Sequence, residues 1–386
     1  MPLEADSAGA ADSAAVTTLR VEVPLSAPGY DALYGAGLLA RLPRLLADRA
    51  IGGRVVVCSD SHVAALHGQR LLTALAAGGA SRAALWTMAA GEEHKTLATV
   101  EQAYGWLATE RVERGDIVVA LGGGVVGDLV GFAAATYLRG VRLVQAPTTL
   151  VAQVDSALGG KVGVDLPAGK NLVGAFHQPA LMVADTTVLA TLPEREWRAG
   201  LAEVLKHGVI RDRELLDLLR DERAAVLGRA PGVVARIVAR AAAVKVDVVR
   251  EDPLEHGLRR ILNYGHTLGH ALERVAGYGV VRHGEAVGWG MAAAARIGER
   301  VGLCAAGFVE WQDDLLRSYG LLDAASLPRV AADALIAATR LDKKSAGGRI
   351  NWILPREPGD VVVTSDVPDD AVQVGADWLA GQGQGR

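Results

Sequence analysis

The chain has 386 residues, half of them hydrophobic but only 4% aromatic, and a formal net charge of −4. That length predicts two domains with aliphatic cores, and mild acidity without a concentrated basic stripe excludes nucleic acid as a partner. Cys58 and Cys304, far apart, make no disulfide framework and fit a reducing cytoplasm.

In chain order, residues 1–17 (MPLEADSAGAADSAAVT) lack the basic start and apolar run of a signal peptide and read as a disordered tail. Short β-branched runs then alternate with amphipathic stretches. Strands are predicted over 54–58, 83–88, 116–121, 142–146 and 180–184, with helices over 62–78 and 97–110. This alternation predicts a parallel sheet covered by helices, an α/β Rossmann-like nucleotide-binding domain over 18–190. The longest apolar stretch, 117–138, is broken by three glycines and by Asp128, so no membrane span is expected. Beyond 190 the periodicity turns helical, over 195–209, 212–222, 232–250, 259–275, 285–301 and 308–319. Short strands return at 350–354 and 361–364. Residues 191–386 therefore read as a mainly α-helical metal- and substrate-binding domain.

Gly122, Gly123 and Gly124 follow a predicted strand and open a helix that carries Asp128. Glycines there let a phosphate approach backbone N–H groups at a helix N-terminus. Asp60 sits just past another strand end, where a carboxylate can hold a ribose hydroxyl. Asp155 precedes Gly159-Gly160-Lys161, and Gly169-Lys170-Asn171 follows. Two Gly–Lys pairs suggest phosphate handling, but the spacing of a nucleotide-hydrolysing P-loop is absent.

Arg259, Asn263, His266 and His270, spaced by 4, 3 and 4, would share one face of a helix. Apolar neighbours Leu258, Ile261, Leu262 and Leu268 mark that helix as buried. Four polar groups on such a stripe imply a metal or a polar ligand. Glu203 and Lys206 share a face of another helix. Glu203 with two of His266, His270 and His283 would make the His₂Glu set of a catalytic zinc. Spacing leaves open which two.

These segments together resemble the 3-dehydroquinate synthase family of sugar-phosphate cyclases. The similarity runs from about residue 18 to 375. It is dense in GGGVVGD, ATYLRG, PTTLVAQVDSALGGK, GKNLVGAFHQP, TLPERE and GLAEVLKHG, and again in LNYGHTLGHALE, HGEAV and DKK. The resemblance implies NAD held by Asp60, Glu92, Lys95, Gly122, Gly123, Gly124, Asp128, Thr148, Thr149 and Lys170. It implies zinc or cobalt held by Glu203, His266 and His283, with His270 left for substrate. The implied substrate is 3-deoxy-D-arabino-heptulosonate 7-phosphate. Its phosphate would meet Lys161, Asn171, Arg259, one of Lys343 and Lys344, and Arg139 from the neighbour in a homodimer. Asp155, Lys206, Lys245, Glu255, Asn263 and His270 would contact its hydroxyls and carboxylate. The implied reaction is transient oxidation by NAD, phosphate elimination, reduction and intramolecular aldol closure to 3-dehydroquinate, a shikimate-pathway step in the cytoplasm.

Departures from the family pattern are Ala157-Leu158 for Ser-Val, Val162 and Asp165 for Thr and Asn, and His177 for Tyr. The alternatives are a sister cyclase of the amino-dehydroquinate, valiolone or inosose type, and a metal-dependent alcohol or glycerol dehydrogenase.

Overall fold

A computed structural model describes residues 16–22, 29–79, 83–277, 279–342 and 350–383. The chain divides into two units, Met1–Leu192 with Pro231–Pro253, and Pro193–Ala230 with Leu254–Arg386.

The first unit contains β1 (Thr17–Val21), β2 (Tyr30–Gly35), β3 (Val55–Asp60), β4 (Ala84–Met88), β5 (Ile117–Gly122), β6 (Arg142–Pro147), β7 (Lys161–Leu166), β8 (Gly169–Phe176) and β9 (Leu181–Asp185). Seven of them form one sheet in the order β1-β2-β9-β6-β5-β3-β4, while β7 and β8 form a separate hairpin. Every neighbour pair in the large sheet is parallel except β1 with β2. The central strands are buried on both faces, which is why they read as unbroken apolar runs. Their side chains alternate between two cores. Val56, Cys58, Val118 and Ala120 join one, with Leu129 and Val130. Val55, Val57, Val119 and Leu121 join the other, with Leu38, Leu42, Leu71 and Leu75.

Helices α1 (Leu38–Ala47), α2 (Ser61–Val63), α3 (Gln69–Ala77), α4 (Leu97–Thr109) and α5 (Gly124–Thr136) connect the strands. From β3 the chain moves outward to β4, and from β5 it moves the other way to β6. The carboxyl ends of β3 and β5 thus flank a switch in winding direction, where open α/β sheets form a ligand crevice.

The chain then leaves for α6 (Glu194–Arg211), α7 (Arg213–Asp221) and α8 (Arg223–Leu227), and comes back with α9 (Pro231–Glu251). This corrects the expected contiguous division at 190. Helix α9 buries Val234, Ile237, Val238, Ala241 and Val248 at helical spacing, and it packs on β1, β2 and the turn Ala152–Ser156. The expected tail is shortened too, because Thr17 already opens β1; residues 1–15 lie outside the described residues.

The second unit adds α10 (His266–Ala276), α11 (His283–Arg300), α12 (Ala306–Ser318), α13 (Ala332–Asp342), the hairpin β10 (Trp352–Glu357) with β11 (Asp360–Thr364), and α14 (Asp369–Gln382). Helix α11 is buried along most of its length and packs against α6, α10, α12, α14 and β10. Among the described residues no helix is long and apolar enough to cross a membrane.

The helix expected over 259–275 is in fact two pieces. A 3₁₀ turn spans Leu258–Asn263, Tyr264 and Gly265 make a turn, and α10 starts at His266 behind Gly265 at φ 79°. A Cβ at Gly265 would fall 2.6 Å from Met291 Cγ and 2.8 Å from the Val287 carbonyl oxygen. Close approach of α11 and a left-handed residue therefore break the helix, and Arg259 and Asn263 do not share a helix face with His266 and His270.

Candidate active site

In the first unit, the residues expected around NAD gather at the carboxyl edge of the parallel sheet. Asp60 ends β3, Glu92 and Lys95 follow β4, Gly122 ends β5, and Thr148 and Thr149 follow β6. Gly123 caps α5, whose first turn begins at Gly124 and which carries Asp128. The Thr148 N–H donates to the Gly122 carbonyl at 2.9 Å, tying two strand ends together. Its hydroxyl is buried with no hydrogen-bond partner among the described residues. A buried orphan hydroxyl beside a glycine loop and a helix N-terminus fits a dinucleotide. Asp60 Oδ1 caps its own helix, accepting from the His62 and Val63 N–H groups, both at 2.9 Å.

Lys95 is buried and donates to Asp128 Oδ2 and Asn171 Oδ1, both at 2.6 Å. Burial works against its charge, yet Asp128 and Glu92 outweigh it and hold the ammonium above the ordinary lysine value. Lys170 lies 3.5 Å from Glu92. Lys161 opens β7. Lys245, on α9, donates to Asp155 at 2.6 Å. Arg139 is exposed, in a turn where Leu138 and Arg139 both take left-handed backbones.

In the second unit, α6 carries Glu203 and Lys206 on a stretch buried from Ala199 to Ile210. Glu203 is fully buried. Its Oε2 lies 2.5 Å from Lys206 Nζ, and its Oε1 lies 3.6 Å from His266 Nε2 and 3.4 Å from His283 Nε2. Adjacent donors of a tetrahedral zinc, with bonds of about 2.0–2.2 Å, stand about 3.3–3.6 Å apart. Glu203 Oε1 already holds that spacing to each of the two imidazoles. Each ring is oriented through its other nitrogen. His266 Nδ1 meets the Tyr264 carbonyl at 3.0 Å, and His283 Nδ1 meets Glu273 Oε2 at 3.2 Å. A metal-binding histidine needs such a partner to aim its lone pair.

Burial opposes the Glu203 charge, but Lys206 and the imidazoles hold its carboxyl well below the usual range. Burial, then Lys206, pushes His266 well down, so its imidazole is neutral. An ionised carboxylate and a neutral imidazole are the forms a metal requires. Burial lowers His283, but Glu203 and Glu273 outweigh it and raise the ring to about 10. Of these two carboxylates, Glu203 is the one a divalent cation would meet, since Glu273 faces the ring's other nitrogen. His270 is exposed, and its ring lies 5.1 Å from that of His266 and 5.7 Å from that of His283. All three histidines can converge on one ion.

Helix α11 brings His283 to Glu203 through Gly284, where a Cβ would collide with the Ala199 carbonyl of α6. Asn263 Nδ2 donates to Glu255 Oε1 at 3.2 Å, and Arg259 is buried. Lys343 and Lys344 lie outside the described residues. Glu273 escaped the sequence reading. Its signal was available, a carboxylate three residues after His270 and seven after His266 on the same helix.

A mainly parallel sheet with a glycine loop at its carboxyl edge, and a helical unit in which Glu203 faces His266 and His283, is an architecture suited to a nucleotide and a metal ion. The sequence matches 3-dehydroquinate synthase N-terminal over residues 85–199 and 3-dehydroquinate synthase C-terminal over 200–345. It is 48% identical over 356 residues to the 3-dehydroquinate synthase of Symbiobacterium thermophilum, covering 91% of this chain and 98% of that one. Among solved structures, 2-epi-5-epi-valiolone synthase from Streptomyces hygroscopicus subsp. jinggangensis, with NAD⁺ and Zn²⁺ bound, superposes with a TM-score of 0.84 at 31% identity, covering 94% of this chain and 99% of that one. A 2-deoxy-scyllo-inosose synthase with carbaglucose-6-phosphate, NAD⁺ and Co²⁺ gives 0.83 at 27% identity over the same shares. The chain belongs to the 3-dehydroquinate synthase family.

Proposed function

We propose that the chain converts 3-deoxy-D-arabino-heptulosonate 7-phosphate to 3-dehydroquinate and phosphate, in the cytoplasm and as a step of the shikimate pathway. One observation carries this reading. Glu203 holds two imidazoles at metal-donor spacing and Lys206 on its other oxygen, in a chain 48% identical to a 3-dehydroquinate synthase.

Glu203, His266 and His283 would hold zinc or cobalt. Such an ion supplies Lewis-acid polarisation of a substrate oxygen. Asp60, Glu92, Lys95, Gly122, Gly123, Gly124, Asp128, Thr148, Thr149 and Lys170 would hold NAD. NAD held there would supply reversible hydride acceptance within one turnover. The chain's own residues bind and orient the substrate. Lys161, Asn171, Arg259 and one of Lys343 and Lys344, with Arg139 from a second copy in a homodimer, neutralise the phosphate through charge-assisted hydrogen bonds. Asp155, Lys206, Lys245, Glu255, Asn263 and His270 contact hydroxyls and the carboxylate. Buried Lys206 also keeps the Glu203 carboxylate ionised.

Purified protein supplied with NAD⁺, zinc and the heptulosonate phosphate should release phosphate and form 3-dehydroquinate without accumulating NADH. Net NADH formation would indicate a dehydrogenase. Turnover of an amino analogue alone would indicate a sister cyclase.

A further inference from the structure

The β7–β8 hairpin pairs regularly from Lys161 to Val164 and then shifts register: Val164 pairs with Val173 but Leu166 with Gly169, so the extra residues lie on β8, Asn171 among them, opposite Asp165. A bulge re-aims the side chains it carries, here that of Asn171. Here Asp165 Oδ1 accepts from the Asn171 backbone N–H at 2.7 Å. Asn171 sits at φ 55°, a left-handed conformation that needs local support in a residue with a side chain. The Asp165 N–H donates to the Lys95 carbonyl at 2.8 Å, and Lys95 Nζ donates to Asn171 Oδ1 at 2.6 Å. The three residues close a circuit in which each donates once and accepts once.

An ammonium can only donate, so the Asn171 amide turns its oxygen to Lys95 and keeps its NH₂ group for an acceptor. A phosphate oxygen is such an acceptor. We propose that Asp165 is a positioning residue for phosphate recognition, holding Asn171 in the left-handed backbone that lets Lys95 fix its amide with the donor end toward the anion. This rests on the reading of Asn171 as a phosphate contact.

The test uses the NAD- and zinc-loaded enzyme, with inorganic phosphate as a competitive inhibitor. Asp165→Ala should raise KM for the heptulosonate phosphate and Ki for inorganic phosphate by the same factor, about five- to tenfold, the loss of roughly one hydrogen bond, with kcat within twofold. Asp165→Asn keeps the acceptor oxygen and should restore both constants to within twofold of the parent. Ki is read on folded protein isolated by gel filtration, so a reduced folding yield does not affect it. A Ki within twofold for Asp165→Ala, or an Asp165→Asn enzyme as impaired as Asp165→Ala, overturns the proposal. Asn171→Ala separates the two readings. If it raises Ki while Asp165→Ala does not, only the positioning role fails. If it leaves Ki unchanged, the phosphate assignment fails and the positioning role falls with it.

Discussion

Glu273 Oε2 lies 3.2 Å from Nδ1 of His283, while the ring's other nitrogen faces Glu203 at 3.4 Å. Glu273 is buried and contributes no ligand atom of its own to the proposed set. It would fix the tautomer and direction of His283, a proposed ligand. Glu273→Ala should therefore weaken metal affinity on the order of 10–100-fold. Competition with a chelator of known affinity measures this directly, and an unchanged zinc affinity would remove Glu273 from the site.

Exhaustive chelation should abolish turnover, and zinc or cobalt should restore it. His266→Ala removes one of three protein ligands and should lose both metal and activity. His270→Ala should keep near-stoichiometric zinc while losing most activity, because the exposed ring is assigned to substrate. Elemental analysis decides between them. Equal metal loss in both variants would replace His283 with His270 in the ligand set.

Gly284→Ala should damage the same site without touching a ligand. The added methyl meets the Ala199 carbonyl, which cannot rotate away as a side chain could. Overpacking of this kind costs about 3 kcal/mol, or else α11 withdraws from α6 and separates His283 from Glu203. A lowered melting temperature together with weaker zinc binding is the expected result. Wild-type values for both would show that the helices have room to spare.

Arg139 is expected to serve a neighbouring copy. Inactive Arg139→Ala mixed with inactive Lys206→Ala should regain partial activity after subunit exchange, because one site of the mixed dimer then carries neither lesion. Mixed dimers verified by native mass spectrometry yet devoid of activity would place Arg139 in its own subunit's site.

The buried parallel strands were legible because both their faces are apolar. Strands β1 and β2 and helix α1 were not, since β1 alternates partly buried and exposed positions and α1 contains Pro43. The β7–β8 hairpin was read only as two Gly–Lys loops, because Asn171, Leu172, Gly174 and Phe176 are exposed and give no apolar pattern. The ligand-type residues of the helical unit could be named from sequence, and His266 and His283 do meet Glu203. Their arrangement could not. Four-three-four spacing suggested one continuous helix, and only the packing of α11 on Gly265 shows why the chain breaks there. Nor does any local signal tell which body a helix will join. Lys245 was read in the second domain, yet α9 delivers it to Asp155 of the first.

The return of α9 also limits how this chain can be dissected or inherited. Its two units are not beads on a string, since the polypeptide passes between them at Leu192, Ala230 and Pro253. A gene cut after codon 192 would yield a sheet stripped of the helix over β1 and β2, and a remainder bearing a 21-residue helix with its valine face homeless. Neither half of that cut is a transferable module, because each keeps only part of the packing that the face of α9 completes.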